Sequence, residues 1–350
     1  MLRKTSYTPI ANDNFYYIPN EIDVFNPINI SYVKKLCLTN SIDIIINQEG
    51  ISPYTSRFIL DAAPEHVKII SVFHNTLASC FGCHSKLPVI YSKWIPEKGI
   101  HFLNNLCYMY FRHKYGQHII RTVERSSRII VLDEHLLDDL SCFLGKPIPS
   151  GKLCAIHNPV TLPQGKYIPI QQKSKILLYV GRLSAEKNII DLLSIWKKVS
   201  LSHPSWHFYL VGDGPEREKI LKYIKNNGLR NISIEGRKNP IQYYQKASIF
   251  ILASLYEGLP LVLLEAMNYS VIPVAFDSFP SLHSIITHEV NGMIVKPFDK
   301  KKYAQVLTKL MDEESFREDL SVKAWEHSQL FSINTILNEW NKVFNDIIKE

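Results

Sequence analysis

The sequence predicts an α/β fold in which two doubly wound domains each carry a parallel sheet. The chain has 350 residues, of which 46% are hydrophobic, so it can fill two cores at roughly 150 residues per domain. Short apolar runs alternate with segments of helical periodicity, which is the pattern of βαβ units. A stretch marked by proline and glutamine separates two such series. We therefore predict an N-terminal domain over 1–160, a linker over 161–174, a C-terminal domain over 175–313 and a helical tail over 314–350.

The C-terminal domain has the clearer pattern. Residues 175–180 form an apolar run that ends at Gly181, and the apolar residues of 189–199 then recur at spacings of three and four. A run of this kind followed by such periodicity is typical of a buried parallel strand and its crossover helix. The same alternation predicts further strands at 206–211, 231–235, 248–253, 271–276 and 292–295, with helices at 216–226, 241–246 and 260–268.

The N-terminal domain is less regular. Its apolar runs predict strands at 42–46, 67–73, 129–132 and 152–156, and a long helix over 102–128. Residues 1–38 contain no glycine and show no clear periodicity, so we interpret them as loop-like.

The composition narrows the classes of function. The net charge is +7 and charged residues make up 21% of the chain, a mildly basic balance that does not single out nucleic acid. The longest apolar region, 247–276, contains Glu257 and Glu265, which a membrane span would not place at its centre. The first six residues include basic side chains without an apolar stretch behind them, so no signal peptide is predicted. We expect a cytoplasmic protein without a nucleic-acid partner.

One cysteine pattern requires a decision between a cofactor and a loop. Cys80, Cys83 and His84 match the C-x-x-C-H spacing of covalent haem attachment. Haem attachment requires export, and a zinc site would need a second ligand pair. We interpret the pattern as a coincidental loop, treat the six cysteines as reduced thiols, and predict neither a cofactor nor a metal.

Two strand-to-helix turns of the C-terminal domain suggest phosphate binding. Gly181 ends a strand, and Arg182 and Lys187 flank the helix start that follows. A helix N-terminus with two cations is a good receptor for a diphosphate, although an ordinary surface loop is the alternative. The next turn, 212–215 (GDGP), allows close backbone approach and does not match the dinucleotide-binding G-x-G-x-x-G pattern.

The third turn combines two carboxylates with a helix start. Glu257 follows a buried strand, Gly258 and Leu259 offer backbone N–H groups, and Glu265 lies in the second turn of an otherwise apolar helix. A carboxylate in that setting needs a partner, which ligand hydroxyls would supply. A favourable interaction of Glu265 with the helix dipole is the structural alternative. We favour a functional role because both carboxylates frame the same helix end.

These three blocks, in this order and spacing, resemble the family-four retaining glycosyltransferases, the group 1 glycosyl transferases, over 175–313. The resemblance implies the GT-B fold, in which two Rossmann-like domains face a cleft. It also implies that Arg182 and Lys187 bind the donor diphosphate, that Glu265 holds the ribose hydroxyls and that Glu257 faces the transferred sugar. The implied donor-binding set is Gly181, Arg182, Lys187, Gly236, Arg237, Glu257, Gly258, Leu259, Pro260 and Glu265, with no metal.

The N-terminal domain contributes one further residue to the implied site. His74 follows the predicted strand and resembles the family's active-site histidine near the donor sugar and the acceptor. The implied catalytic set is therefore Glu257, Arg182, Lys187 and His74. Members of the family begin with a strand and a glycine-rich turn, whereas the first clear strand here is 42–46. We expect an N-terminal domain whose beginning is shortened or strongly diverged.

An aromatic run at 108–111 precedes a basic stretch on the predicted long helix. A membrane-facing or lipid-acceptor surface would have this composition. An amphipathic helix with a solvated face is the alternative, and the pattern favours it. The basic residues are Arg112, His113, Lys114, His118, Arg121, Arg125 and Arg128.

The sequence thus predicts a metal-independent, retaining glycosyltransferase of the hexosyltransferase type. It would move a sugar from a nucleoside diphosphate sugar to a glycan or lipid-linked acceptor. The expected setting is surface polysaccharide or lipopolysaccharide assembly, with peripheral contact at the cytoplasmic face of a bacterial membrane. Two alternatives are a shortened, non-catalytic nucleotide-sugar-binding module and a sugar-nucleotide epimerase. The acidic pair together with Arg182 and Lys187 argues against the epimerase.

Overall fold

The computed structural model describes residues 16–52, 54–77 and 97–350, with the side chains of 97–105, 107 and 108 left out. The described chain divides into two compact units. The first contains the described residues up to 77 together with 101–156 and 342–350, and the second contains 97–100 and 157–341. Cys80, Cys83 and His84 lie outside the described residues. None of the described helices combines the length and the apolar character that a membrane span requires.

The first unit contains a parallel sheet of four strands in the order β1-β2-β3-β4. Each strand was predicted from its apolar run, and the long helix ends before the predicted position because a strand starts there. The elements are α1 (Pro27–Thr39), β1 (Ile44–Asn47), α2 (Thr55–Ala62), β2 (Lys68–Phe73), α3 (Glu97–Arg125), β3 (Arg128–Val131), α4 (Leu137–Leu144) and β4 (Leu153–Ala155).

Helix α1 corrects the interpretation of 1–38 as loop-like. Asn26 caps the helix, since its side-chain oxygen accepts a hydrogen bond from the backbone of the second helical residue, and a proline occupies the first position. A capping asparagine followed by proline is a strong start signal. Val33 and Cys37, four residues apart, are buried on one helix face. The helical periodicity is weak in the sequence because polar residues separate the few apolar positions.

The second unit contains a parallel sheet of six strands and the remaining helices, of which the last has its residues 342–349 in the first unit. Its six strands confirm the strands that were predicted from the apolar runs. The elements are β5 (Ile176–Val180), α5 (Ile189–Val199), β6 (His207–Val211), α6 (Arg217–Asn226), β7 (Ile232–Gly236), α7 (Ile241–Lys246), β8 (Ile249–Leu252), α8 (Leu261–Asn268), β9 (Ile272–Phe276), α9 (Leu282–Ile285), β10 (Met293–Val295), α10 (Lys300–Asp312), α11 (Glu314–Ser328) and α12 (Ile333–Lys349).

The strand order of the second sheet, β10-β9-β8-β5-β6-β7, reverses between β5 and β8. This is the doubly wound arrangement, and ligands bind beyond the carboxyl ends of the strands where the order reverses. The four described strands of the first sheet follow chain order without such a reversal. The topology therefore locates a ligand crevice most clearly in the second unit, between the turns that follow β5 and β8.

The segment predicted as a linker packs against the helices of the second unit. Trp325 donates a 3.0 Å hydrogen bond from its indole nitrogen to the carbonyl oxygen of Gly165, and the backbone N–H of Ile170 donates to a carboxylate oxygen of Glu318 at 2.9 Å. A Cβ atom at Gly165 would lie 2.0 Å from the carbonyl oxygen of Asn268, so only glycine allows this contact. The segment is thus an ordered part of the second unit.

Lys173, in the same segment, is half-buried, and its ammonium group faces two backbone carbonyl oxygens. Its Nζ donates to the carbonyl oxygen of Tyr244 at 2.9 Å and to that of Tyr269. Burial lowers the pKa of Lys173 to about 7. Between pH 7 and the ordinary lysine pKa, the unfolded chain therefore holds a proton that the folded chain lacks, so stability rises with pH.

We expect Lys173→Met to remove this pH dependence. A shifted group changes the free energy of unfolding by about 1.4 kcal/mol for each pH unit between its two pKa values. From pH 7.5 to pH 9.0, the melting temperature of the unmodified protein should therefore rise by about 4–8 °C relative to Lys173→Met. Differential scanning calorimetry of both proteins at the two pH values measures this. A constant difference between the two melting temperatures would contradict the assignment.

Candidate active site

The turns after β5 and β8 lie side by side at the point where the strand order reverses. The first is 181–188 and the second is 253–260, and the backbone N–H of Leu255 donates to the carbonyl oxygen of Glu186 at 2.8 Å. Two of the three sequence blocks are therefore in contact. The remaining block, 212–215, follows β6. Strand β6 pairs with β5 on the side opposite β8.

Glycines allow the turns after β5 and β6 to pack backbone against backbone. Gly181 and Gly212 have φ values of +153° and +145°, and a Cβ atom at Gly212 would lie 1.8 Å from the carbonyl oxygen of Gly181. The backbone N–H of Leu183 donates to the carbonyl oxygen of Asp213 at 3.0 Å. Since a larger residue does not fit at this crossing, the glycines determine the shape of the turn after β5.

An ion pair spans the crevice between the turns after β5 and β8. Lys187 Nζ lies 2.5 Å from Glu257 Oε1, and the two side chains are 21% and 13% exposed. Both groups are thus partly removed from water, which strengthens their attraction. The structure brings together the two residues that the resemblance assigns to the donor diphosphate and to the transferred sugar.

Three further predicted donor-site groups, Arg182, Gly258 and Leu259, lie on these two turns. Arg182 is exposed, and its guanidinium has no partner among the described residues. The amides of Gly258 and Leu259 likewise have no acceptor among the described residues, while Ser281 holds the turn by donating to the carbonyl oxygen of Gly258 at 2.5 Å. A cation and two available N–H groups beside the ion pair are suited to an anionic ligand.

The turn after β7 approaches the same edge of the sheet. Gly236 has a φ of +69°, and its carbonyl oxygen accepts a 2.8 Å hydrogen bond from the backbone N–H of Gly212. Arg237 is exposed. The resemblance implies that Gly236 and Arg237 border the base of the donor nucleotide, and this role stays a prediction.

Glu265 has a protein partner that the sequence did not reveal. The hydroxyl of Tyr244 donates to Glu265 Oε2 at 2.9 Å. Burial raises the pKa of Glu265, and the hydrogen bond from Tyr244 partly opposes this by lowering it. The second oxygen of the carboxylate accepts no hydrogen bond within the described residues, which leaves an acceptor for ligand hydroxyls.

His74 belongs to the first unit, where it follows β2. Its Nε2 lies 2.7 Å from Gln48 Oε1, and Gln48 follows the neighbouring strand β1. Burial lowers the pKa of His74, and the charge of Glu49 opposes this by raising it. Gln48 was missed because a lone glutamine after a strand carries no motif, and its contact depends on strand pairing.

The arginines of the basic stretch are bound within the first unit. Arg112 donates to the carbonyl oxygen of Phe143 at 2.5 Å, and Arg125 donates to that of Pro64 at 2.8 Å. The other two form ion pairs, Arg121 with Asp61 and Arg128 with Glu350. Arg112, Arg121 and Arg125 lie on α3, whereas Arg128 belongs to β3 and not to the predicted helix. The interpretation of the stretch as the solvated face of an amphipathic helix stays a prediction.

Comparison with known proteins finds a family similarity within the second unit. Residues 165–327 match the family model "Glycosyl transferases group 1". This segment is therefore similar to the group 1 glycosyl transferases. The amylovoran biosynthesis glycosyltransferase AmsD of Erwinia amylovora is 30% identical over 224 residues, which cover 63% of this chain and 62% of that protein. The chain thus spans less than two thirds of that relative's length. An α-1,4-N-acetyl-D-galactosaminyltransferase of Campylobacter jejuni is 27% identical over 178 residues, 50% of this chain and 49% of that protein.

Solved structures of glycosyltransferases share the fold. TarM superimposes with a TM-score of 0.70 and 19% identity, covering 91% of this chain and 58% of TarM. HepE of Anabaena, solved in complex with UDP, has a TM-score of 0.69 and 16% identity, covering 91% of this chain and 82% of HepE. These likenesses confirm the predicted GT-B fold class.

Proposed function

We propose that the protein is a retaining, metal-independent glycosyltransferase that uses a nucleoside diphosphate sugar. The observation that carries this proposal is the Lys187–Glu257 pair across the point where the strand order reverses, beside the exposed Arg182. Two cations and a helix start receive a diphosphate, and a carboxylate beside them receives sugar hydroxyls. The glycosyltransferases that are similar to this chain in sequence and in fold support the same reaction class.

The charges of the site suit the departure of a nucleoside diphosphate. Negative charge develops on the leaving phosphate as the sugar–oxygen bond breaks, and preorganised cations and N–H groups there lower the barrier. Arg182, Lys187 and the amides of Gly258 and Leu259 would supply them. Reaction on one face of the sugar lets the leaving phosphate take the proton of the acceptor hydroxyl. Glu257 then acts by electrostatics and by positioning the sugar.

We propose that the acceptor is a glycan or a lipid-linked glycan, on the basis of the names of the relatives. Those relatives include an amylovoran biosynthesis enzyme, a transferase whose name contains a PP-undecaprenol-linked glycan, and a poly(glycerol-phosphate) α-glucosyltransferase of Bacillus subtilis. All three names describe sugar transfer in the synthesis of polymers or lipid-linked glycans. We extend this setting, surface polysaccharide assembly, to the present protein.

A peripheral membrane contact is part of the proposal, through the exposed apolar side chains of α3. Leu106, Met109 and Tyr110 are exposed, lie at helical spacing, and are followed by the exposed Lys114. Apolar and aromatic side chains beside a cation suit the interface of anionic lipids. The protein should therefore sediment with phosphatidylglycerol vesicles, and Met109→Ser combined with Tyr110→Ser should reduce the bound fraction. Equal sedimentation of both proteins would contradict this contact.

Two measurements test the reaction itself. Nucleoside diphosphate sugars are screened by thermal shift, in which a ligand at 100 times its Kd stabilises by about 2.7 kcal/mol. The stabilising donor is then incubated with lipid-linked glycan acceptors, and NMR of the product should show the anomeric configuration of the donor. Turnover should persist in EDTA. An inverted product refutes retention, loss of turnover in EDTA refutes metal independence, and donor binding without transfer to any acceptor favours a non-catalytic module.

A further inference from the structure

A cluster of polar groups lies at the carboxyl edge of the first unit's sheet. Gln48 and Glu49 follow β1, and His74 follows β2, its parallel neighbour. Neighbouring parallel strands end at the same edge, so groups that follow them can meet there. The side chains of Gln48 and His74 do meet, since Gln48 Oε1 lies 2.7 Å from His74 Nε2.

Buried hydrogen bonds hold the turn that carries Gln48. Asn47, which is 3% exposed, accepts a hydrogen bond from the backbone N–H of Glu49 at 3.2 Å. Its amide nitrogen donates to Ser56 Oγ at 3.0 Å and to Ser71 Oγ at 3.3 Å. These partners lie on α2 and β2, so the residue immediately before Gln48 is fixed on two elements. Satisfied buried networks of this kind specify one geometry.

Gly50 fixes the other end of the same turn. Its backbone N–H donates to the carbonyl oxygen of Val72 at 3.1 Å. A Cβ atom at this position would lie 2.6 Å from the ring of Phe73 and 2.8 Å from the Val72 oxygen, so only glycine allows the approach. The turn therefore packs against the residue that precedes His74, which sets Gln48 at hydrogen-bonding distance from the imidazole.

The hydrogen bond determines which ring nitrogen of His74 carries the proton. The carboxamide oxygen of Gln48 can only accept, so a neutral His74 donates from Nε2 and keeps a lone pair on Nδ1. The half-buried ring favours the neutral form, because burial lowers the pKa of His74 and outweighs the opposing effect of Glu49. Among the described residues, Glu49 is the charged group whose field acts on this imidazole.

We propose that Gln48 is a positioning residue that holds His74 in the Nε2–H tautomer, so that His74 Nδ1 accepts a hydrogen bond from a sugar hydroxyl. The tautomer follows from the geometry of the first unit alone. The sugar hydroxyl as ligand rests on the proposed glycosyltransferase function. Gln48 is exposed, so its replacement tests the hydrogen bond without removing buried volume.

The test is NMR of the full chain labelled with ¹⁵N in the histidine rings, with His74 assigned by the signal missing in His74→Asn. In the unmodified protein, Nε2 should show the shift of a protonated nitrogen and Nδ1 that of an unprotonated one. Gln48→Leu should give a mixture of tautomers and lower kcat/KM about tenfold. Gln48→Glu keeps an acceptor, so it should retain the Nε2–H tautomer and raise the pKa of His74. Gln117→Leu, the same change at an exposed glutamine of α3, is the matched control and should alter neither quantity.

Three results would overturn the inference. A proton on Nδ1 in the unmodified protein is the first, and ring shifts in Gln48→Leu identical to those of the unmodified protein are the second. The third is a changed tautomer with an unchanged kcat/KM, which would exclude sugar recognition through Nδ1. A different result, an altered tautomer in a protein that transfers no sugar from any donor, would support the positioning role and refute the proposed function.

Discussion

Replacement of Lys187 by methionine is expected to lower kcat/KM by about 10²- to 10³-fold, the loss typical of one group that stabilises developing charge. The Kd for the nucleoside diphosphate should rise about tenfold, equivalent to about 1.4 kcal/mol. Both effects follow because Lys187 Nζ is one of two cations at the proposed diphosphate site and is 21% exposed. Initial rates and isothermal titration calorimetry with the nucleoside diphosphate measure them.

For Glu257, the acidic partner of Lys187, we expect the opposite effect on nucleotide affinity. Glu257 holds Lys187 Nζ in the structure, so a bound diphosphate has to compete for that ammonium. Glu257→Gln should therefore bind the nucleoside diphosphate at least as tightly as the unmodified protein, while its kcat falls. Glu265→Gln should weaken binding, because it removes the charged acceptor proposed for the ribose hydroxyls.

A surface ion pair of the same unit supplies the control for these variants. Lys219 pairs with Glu216, and its side chain is 65% exposed, so Lys219→Met should leave nucleotide affinity unchanged. Unchanged nucleotide affinity in both Lys187→Met and Glu265→Gln would defeat the assignment of the donor site.

Replacement of Gly212 by alanine should have the largest effect on stability. The new Cβ would lie 1.8 Å from the carbonyl oxygen of Gly181, and the φ of +145° is strained for any L-residue. Overpacking costs about 1–3 kcal/mol and backbone strain about 1–3 kcal/mol. The melting temperature should fall by about 10 °C, and nucleotide binding should be lost because the turn after β5 must move.

Gly228→Ala is the control that separates the two causes expected in Gly212→Ala, the steric clash and the backbone strain. Gly228 also has a positive φ, +57°, but no atom lies within 4 Å of the Cβ that alanine would add. Its cost should be confined to about 1 kcal/mol of backbone strain. Calorimetry of the two variants gives the comparison. Melting temperatures within about 2 °C of each other would show that the packed turns are not a constraint.

The elements of the second unit were predictable because their signals are local. A buried parallel strand appears as an unbroken apolar run, as in the prediction of 248–253 for β8 (Ile249–Leu252). Helix α1 escaped detection because its apolar positions are few, although its asparagine–proline start was visible. The predicted domain boundaries stay predictions, and the structure adds that the segment before β5 packs on α11.

The composition of the candidate donor site was also readable from the chain, through the glycine turns and the two glutamates. The contacts between these side chains were not predictable, because each contact joins residues that are far apart in the sequence. Lys187 and Glu257 are 70 positions apart, and Gln48 and His74 are 26 apart. The partner of Glu265 is Tyr244, on a different helix.

Local pattern therefore decided where the strands, most helices and the candidate ligand-binding turns occur, because burial imposes its periodicity residue by residue. The tertiary structure alone decided which turns meet. The order of strands in the second sheet places β5 beside β8, and this adjacency joins Lys187 to Glu257. Strand order depends on long-range packing of the crossover helices, which leaves no periodic signal in the chain.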